Sequence, residues 1–536
     1  MENILPFIIM TVIFTAATVY LGWRGYKSTK NNDEFLVGRR RMSPLIIALS
    51  YGATFLSTSA IVGFGGMSAK YGLVMIWLMV LCILVGTIIA FAVFGKRTRR
   101  IGRELGAFSF PDMMGKIFRS KSIRTFNAAL ILVGMPIYCA AVLVGGVNFI
   151  SVTIGVNRDI ALIGLSLIVA LYVTYGGIIA VMYNDALQAA IMFIGMLVIL
   201  VFTFWKLGGV GEAFGSLSAL WDTRMSDATF AGMVDDGFRG WSSMPEFGSN
   251  IWLMVVTTLL MGVGIGALAQ PQLAVKFMTA KDDKTLNKSM WIGAVFILVI
   301  LGVTFTVGPL SNVFFAQMNN GLTAIELYAN TDMIIPEFVN ALFAGVTFGD
   351  LFVSLFVLAL VCAAVSTMGA LFHTMGSAAG YDIWSQIKDR REKISSKKMA
   401  ESLKASRVGT SIMVVIVVIV AYMMPDNIIA RATVIFMGLT AASILPSFAY
   451  GLFSKDPEAN VAKISIAVGS TSWAIWAFFV NIGIAGMLGM PMLIEGSWMN
   501  YVDPLVIGLP LSCAALIIAR FISMRKKGTA NAEQTP

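Results

Sequence analysis

The sequence predicts an all-α integral membrane protein with about thirteen transmembrane helices. Hydrophobic residues make up 57% of its 536 residues and charged residues only 13%, whereas soluble domains are about 25% charged. The charged residues are gathered in short blocks between long apolar runs. Because about twenty apolar residues cross a bilayer as a helix, each long run is a candidate span.

The candidate spans follow one another along nearly the whole chain. They lie near residues 4–24, 44–67, 72–95, 126–154, 159–181, 185–206, 250–278, 289–316, 349–382, 408–424, 428–452, 464–486 and 504–523. The first span has no basic segment before it and no cleavage site after a short apolar core. We therefore expect it to be a retained helix and not a signal peptide.

Positive charge marks alternate loops. Residues 96–124 hold nine basic residues against two acidic ones, and residues 25–43, 388–407 and 520–527 are also basic. Because basic loops stay in the cytoplasm, we expect the N-terminus outside and the C-terminus inside the cell membrane. The net charge of +10 is located in these loops and does not indicate a nucleic-acid surface. We expect the lipid bilayer to surround the protein and no nucleic acid to bind it.

Two segments outside the spans have their own composition. The loop 207–249 mixes glycine, serine and acidic residues with aromatic ones, and we expect a structured outer cap or short amphipathic helices. Residues 525–536 look like a disordered tail. His373 is the only histidine, which excludes a metal site with several histidines and argues against a membrane enzyme.

Two spans are interrupted by residues that plain transmembrane helices do not need. Residues 48–66 read "ALSYGATFLSTSAIVGFGG", with four hydroxyl residues in the middle, and residues 257–278 read "TTLLMGVGIGALAQPQLAVKFM". Secondary transporters built from two inverted repeats have a broken helix at the start of each repeat. The alternative is that the glycines only let helices pack closely.

A third stretch offers adjacent hydroxyl groups in an apolar context, at Ser366 and Thr367. Neutral hydroxyl and carbonyl oxygens are hard ligands that suit a small monovalent cation. Such hydroxyls also commonly bond to a carbonyl of their own helix, and on these residues alone that second interpretation is favoured.

Several stretches, taken in order, resemble the sodium:solute symporter family. The most specific is "YGGIIAVMYNDALQAAIMFIG" at 175–195, followed by "QPQLAVKFMTAKDDK" at 270–284. The stretches "GRRRMSPLIIALSYGATFLSTSA", "KRTRRIGRELGAFSFPDMMGK" and "IFMGLTAASILPSFAYGLFSKDP" are similar to the family pattern as well.

The resemblance implies a LeuT-type fold of two inverted five-helix repeats. The repeats would be residues 44–206 and 250–452, with one extra helix before them (1–30), two after them (464–524) and the tail 525–536. No cofactor is expected, and a monomer would suffice for transport. The coupling ion would be Na+.

The resemblance also implies a sodium site between the first and eighth core helices. Its ligands would be the carbonyls of Ala53, Leu56 and Ala363 and the hydroxyls of Ser366 and Thr367. Asp185 matches an acidic residue that lies near the inner exit of the ion in the family. A carboxylate in the membrane is also costly and hence a functional candidate. The alternative for Asp185 is an interfacial loop position.

The solute site is less defined. Tyr138 matches a tyrosine that faces the solute in proline-type members, but Phe55, Val263 and Ala267 depart from that type. The expected pocket residues combine hydroxyls, aromatic rings and backbone dipoles. They are Phe55, Ser57, Thr58, Tyr138, Gly262, Gly266 and Gln270.

Together these features predict a sodium-coupled symporter that imports a small organic solute by alternating access. The solute would be a monocarboxylate, an amino acid or a vitamin-like molecule. The alternatives are a proton-coupled symporter of the same fold, in which His373 could take part, and a transporter-like sensor or channel.

Overall fold

The structure is a computed structural model that describes residues 3–388, 396–425 and 428–532. Within these residues it is all helical, with no strand beyond one isolated bridge. The principal helices are α1 Leu5–Ser28, α2 Pro44–Phe55, α3 Ser59–Tyr71, α4 Leu73–Glu104, α5 Lys121–Ile154, α6 Arg158–Lys206, α7 Asn250–Ala269, α8 Pro271–Met278, α9 Asp283–Met318, α10 Gly349–Trp384, α11 Ser396–Met423, α12 Ile429–Phe453, α13 Ala459–Phe479 and α14 Pro504–Ala532.

The helices confirm the predicted fold class. Eleven of them are long and apolar enough to cross a membrane, and the bent pair α2 and α3 gives a twelfth span, counted over the described residues. The count of thirteen stays a prediction, as does the division into repeats at 44–206 and 250–452.

The longest helix, α6, covers two of the predicted spans, 159–181 and 185–206. Its 49 residues would be roughly 73 Å long as a straight helix, more than twice the hydrocarbon thickness of about 30 Å. Gly177 interrupts it with φ 59° and ψ −156°. A side chain at Gly177 would strike the backbone oxygen of Phe35, so both the conformation and the space at this kink require glycine.

The centre of the molecule is built by α10, α6 and α2. Helix α10 packs against α6 and α5, and α2 packs against α6 and α9. The most apolar window of α10 is 83% buried, whereas that of α1 is only 17% buried. A helix that is apolar all round belongs in the interior, so α10 is a central helix and α1 is a peripheral one that presents apolar side chains to lipid.

The loop 207–249 is a structured cap, as predicted. It contains the helix Val210–Arg224 and a cluster of aromatic rings packed edge to face. The cluster consists of Trp221, Phe230, Phe238 and Trp241. The carbonyl of Trp241 accepts a hydrogen bond from the amide of Leu73 at 2.7 Å, which attaches the cap to the start of α4.

The C-terminal helix α14 extends beyond the last predicted span, through Ala532. The disordered tail over residues 525–536 stays a prediction. The end of this helix is anchored to the loop before α13, because Arg520 and Lys527 pair with Glu458 at 2.5 and 2.9 Å. Residues 533–536 and the basic residues 389–395, for which a cytoplasmic loop is expected, lie outside the described residues.

Candidate functional site

The first interrupted helix breaks between α2 and α3, which meet at 54°. Helical hydrogen bonding in α2 persists until the amide of Leu56 donates to the carbonyl of Gly52 at 2.8 Å. Leu56 then leaves the helical conformation (φ −97°, ψ 78°). The carbonyls of the last residues of α2 therefore lack partners in their own helix.

Helix α10 supplies hydroxyls to these carbonyls. Ser366 Oγ donates to the carbonyl oxygens of Ala53 and Ala363 at 3.0 and 3.2 Å. Thr367 Oγ1 lies 3.3 Å from the Ala53 oxygen and 3.1 Å from the Thr54 oxygen. Both hydroxyls therefore form hydrogen bonds to α2. The interpretation that they bond only to their own helix does not account for these contacts.

Four of the five oxygens predicted to bind sodium therefore lie together in the buried core. They belong to Ala53, Ala363, Ser366 and Thr367. The fifth residue, Leu56, is at the break and lines the adjoining cavity. All of these ligand atoms are uncharged, which suits a monovalent cation better than a divalent one.

The break also forms one wall of a small cavity of about 20 Å³. Phe55 and Ser57, two of the predicted solute residues, line it, and Val263 of α7 lines it as well. A volume of this size holds about one water molecule. An organic solute therefore needs a rearrangement of the surrounding side chains or helices to fit at this point.

Tyr138 and Thr58 have separate surroundings. Tyr138 is fully buried, its ring stacks on Phe436 with centroids 5.9 Å apart, and its hydroxyl faces Ser57 without a well-formed hydrogen bond to the described residues. Thr58 donates its hydroxyl to the carbonyl of Val142 at 2.9 Å. The Tyr138 hydroxyl thus lies beside Ser57 at the break, and the Thr58 hydroxyl attaches the break to α5. A role of Tyr138 in binding solute stays a prediction.

The glycines of the second interrupted helix serve close packing. A Cβ added at Gly262 would lie 2.6 Å from Val434 of α12, and one at Gly266 would lie 2.7 Å from Met437 of the same helix. Small residues let helices approach in this way. Val434 and Met437 therefore occupy the space beside these glycines. The role of Gly262 and Gly266 in binding solute stays a prediction.

Gln270 marks the break between α7 and α8. Its backbone is extended (φ −79°, ψ 114°) because Pro271 follows and disfavours the helical conformation. The side-chain amide donates to Thr440 Oγ1 at 2.7 Å and to the carbonyl of Gly266 at 3.0 Å, and its oxygen accepts from Gln272 at 3.1 Å. Gln270 is thus engaged within the protein.

One buried residue was missed by the sequence analysis. Lys276 of α8 pairs with Asp185 of α6 at 3.0 Å, and both side chains are fully buried. The Lys276 ammonium also donates to the Ser50 carbonyl and hydroxyl, each at 2.7 Å, and to Thr54 Oγ1. In the sequence Lys276 stands within "QLAVKFM", where apolar neighbours on both sides separate it from the charged loop and could have indicated burial.

Asp185 is therefore an interior residue, and the alternative of an interfacial loop position is wrong. Ser50 Oγ donates to Asp185 Oδ2 at 2.7 Å, and Thr54 Oγ1 lies 3.3 Å from the same oxygen. The other carboxylate oxygen, Oδ1, has no hydrogen-bond partner among the described residues. A buried carboxylate in this position agrees with the expected role on the path of an ion.

His373 lies in α10 beyond the sodium-site residues. Its Nε2 atom is 2.9 Å from the carbonyl oxygen of Phe35, and the two rings pack with centroids 5.5 Å apart. A buried histidine bonded to a backbone carbonyl is a satisfied core residue. No group of three or more histidine, cysteine, aspartate or glutamate side chains suited to a metal ion occurs in the part of the chain that the structure describes.

A bundle of membrane-spanning helices with two broken helices at its centre, one of which presents backbone carbonyls to hydroxyl groups, defines a secondary transporter. Comparison with known proteins identifies the family. The sequence profile named "Sodium:solute symporter family" matches residues 35–469. The chain belongs to the sodium:solute symporter family, which consists of transporters and not of enzymes.

Individual relatives are similar over nearly their whole length. The sodium/pantothenate symporter of Haemophilus influenzae is 26% identical over 476 residues, which cover 88% of this chain and 90% of the relative. The sodium/proline symporter of Escherichia coli is 24% identical over 497 residues, covering 92% and 90%. The osmoregulated proline transporter of Bacillus subtilis is 23% identical over 508 residues, covering 94% of each chain.

A solved structure confirms the fold. The substrate-bound, outward-open state of a Na+-coupled sialic acid symporter superposes with a TM-score of 0.73 at 18% identity, over 96% of this chain and 97% of the other. The LeuT-type architecture of the sequence analysis is therefore borne out. Membership in the family implies Na+ as the coupling ion.

Proposed function

We propose that this chain is a sodium-coupled symporter that imports a small organic solute with a carboxylate group by alternating access. The observation that carries the proposal is the set of hydrogen bonds from Ser366 and Thr367 of α10 to carbonyls at the end of α2. These carbonyls have no partner in their own helix. These bonds bring together the uncharged oxygens that a monovalent cation needs.

The hydroxyl groups can serve both protein and ion. A hydroxyl has one proton to donate and lone pairs to offer. When the protons of Ser366 and Thr367 turn away from the α2 carbonyls, the same oxygens and carbonyls become ligands for sodium. The ion then bridges α2 and α10 in place of the two hydrogen bonds, while each hydroxyl keeps its proton.

Sodium and solute are coupled through the break. Ala53 contributes a carbonyl to the ion, and Phe55 and Ser57, only a few residues further on, line the central cavity. An ion that fixes the end of α2 therefore also fixes the wall of the solute site. By linkage, the solute must raise the affinity for sodium by the same factor as sodium raises the affinity for the solute.

Charge favours a carboxylate on the solute. The sodium ligands are neutral, and the nearest carboxylate, Asp185, is already paired with Lys276. The amino-terminal end of α3 adjoins the cavity, and helix N-termini attract anions. A second cavity, of about 370 Å³, is lined by two basic residues, Lys70 and Arg431, against one acidic residue, Asp503. Its charged residues therefore leave an excess of positive potential.

The relatives agree with this choice, since pantothenate and proline, named in their descriptions, both carry a carboxylate. We further propose that the N-terminus is outside and the C-terminus inside the cell membrane, with solute moving inward. We also propose that a monomer suffices for transport.

The test is uptake into proteoliposomes with and without an inward sodium gradient. Amino acids, monocarboxylates and carboxylate vitamins form one arm of the solute panel, and neutral sugars form the other. We expect saturable, sodium-dependent uptake of a carboxylate solute. Absence of sodium-dependent uptake across the whole panel contradicts the proposal.

Two control arms address the alternatives. Uptake driven by an inward proton gradient without sodium would favour the proton-coupled carrier. Sodium flux that neither saturates nor depends on solute would favour a channel.

A further inference from the structure

We propose that the Lys276 ammonium is a built-in cation that fills a cation site between α2, α6 and α8, so that the protein carries one sodium ion per transport cycle. The inference rests on the proposed function, in which sodium binds at Ser366 and Thr367. To the proposed function the inference adds the number of sodium ions carried per transport cycle and a structural reason for that number.

The surroundings of Lys276 are those of a bound cation. Its nitrogen has four oxygen partners of the kinds that ligate hard metal ions: one backbone carbonyl, two hydroxyls and one carboxylate. They are the Ser50 carbonyl, Ser50 Oγ, Thr54 Oγ1 and Asp185 Oδ2. Two different helices provide these oxygens, and a third, α8, provides the ammonium that occupies the space between them.

The charge balance leaves no place for a second cation in this cage. Asp185 and Lys276 are both fully buried and together carry no net charge. A sodium ion added next to the ammonium would leave one positive charge without a partner in a low-dielectric interior, which is strongly unfavourable. The free oxygen Oδ1 of Asp185 does not alter this balance, because the single carboxylate charge is already matched.

Thr54 connects the cage to the sodium site. Its hydroxyl accepts from Lys276, while its carbonyl accepts from Thr367 at 3.1 Å. The two cation positions are thus neighbours on α2, one occupied permanently by the protein and the other open to sodium. Removing the ammonium while keeping Asp185 would leave a carboxylate and three further oxygens around a space that a sodium ion can enter.

The experiment is equilibrium binding of radiolabelled sodium to the purified full-length protein, expressed as ions per chain. We expect one ion for the wild type and two for Lys276→Met, which removes the ammonium and keeps an unbranched side chain. The matched control is the double variant Asp185→Asn/Lys276→Met, which removes both charges. It is expected to bind one ion with an affinity within about threefold of the wild type, since the remaining site is uncharged.

The outcomes separate the two proposals. No sodium bound to the wild type overturns the proposed function. Two ions on the wild type, or one ion on a folded Lys276→Met, overturns the inference and leaves the proposed function standing.

The single variant leaves a buried charge without its partner, which can prevent folding, whereas replacing both members of a buried pair is tolerated far better. If only the double variant can be purified, one bound ion with an affinity within about threefold of the wild type supports the inference. Loss of its sodium binding by more than about tenfold would mean that Asp185 is itself a sodium ligand.

Discussion

In the first interrupted helix, α2 and α3 meet at 54° without a proline between them, and the chain leaves the helix at Leu56. In the second, the helix stops at Gln270 because Pro271 follows, and its glycines are filled in by α12. The first break turns carbonyls toward hydroxyls of another helix, while the polar side chain of the second bonds within the protein. Two similar sequence signals thus produce one set of carbonyl–hydroxyl contacts, at which we propose that sodium binds, and one packing joint.

The second interrupted helix nevertheless contributes charge. Its continuation, α8, carries Lys276 to Ser50 and Thr54 of α2. The ammonium group of Lys276 therefore connects the two broken helices. It contacts α2 at Thr54, whose carbonyl accepts a hydrogen bond from Thr367 of α10. In the proposed mechanism the two differ in role: the first supplies carbonyls that can bind an exchangeable ion, and the second supplies the fixed ammonium of Lys276.

We expect the largest effect from a substitution that removes the proposed sodium ligands next to the first interrupted helix. The double substitution Ser366→Ala/Thr367→Ala removes two ligands, and the sodium concentration for half-maximal solute uptake should rise by roughly ten- to a hundredfold. Thr374→Ala is the matched control, since its hydroxyl donates to the carbonyl of Ala370 in its own helix. An unchanged sodium dependence in the double variant would remove the site from these residues.

The packing of the second helix is tested by Gly266→Ala. The added Cβ meets Met437 of α12, so we expect a loss of about 1–3 kcal/mol in stability, measured as a lower midpoint of thermal unfolding. Gly164→Ala is the control, because the space beside that helical glycine is open. If Gly266→Ala melted like the wild type but weakened solute binding, the glycine would belong to the solute site.

The hydrogen bond between Gln270 and Thr440 can be isolated by a double-mutant cycle. With Gln270→Met and Thr440→Val we expect a coupling free energy of about 1 kcal/mol in unfolding. The apparent KM for the solute should stay the same in both single variants. If the two substitutions had additive effects on stability and Gln270→Met raised the KM, the result would support the prediction that Gln270 binds the solute.

The smallest expected effect concerns the hydroxyl of Tyr138, which faces Ser57 beside the first break. Tyr138→Phe should raise the apparent KM for the solute by about threefold, the loss of one weak hydrogen bond. The sodium dependence at saturating solute should not move. A shift in sodium affinity without a change in KM would instead connect Tyr138 to the ion.

The sequence was sufficient for the features that local patterns determine. Apolar runs predicted the helices, and glycines with a proline indicated the second break. The sodium ligands followed from family resemblance, because Ser366 and Thr367 alone favoured bonding within their own helix. Their approach to Ala53 is a tertiary contact between segments more than 300 residues apart, which no local pattern contains.

Three features escaped for the same reason. The burial of Lys276 depends on how closely α2 and α6 approach α8. The commitment of Gln270 depends on Thr440, and that of Thr58 depends on Val142. In each case the partner is distant in sequence, so no local pattern contains the contact. The roles of Gln270 and Thr58 in binding solute stay predictions.

The attachment of the outer cap to α4 has a measurable kinetic consequence. The amide of Leu73 lies near the predicted outer surface, yet it donates to the carbonyl of Trp241 within the aromatic cluster. Exchange of that amide with deuterium requires the cap to detach. Its exchange rate therefore reports the free energy of this local opening, and comparing the rate with and without sodium reveals whether ion binding in the core is felt at the outer face.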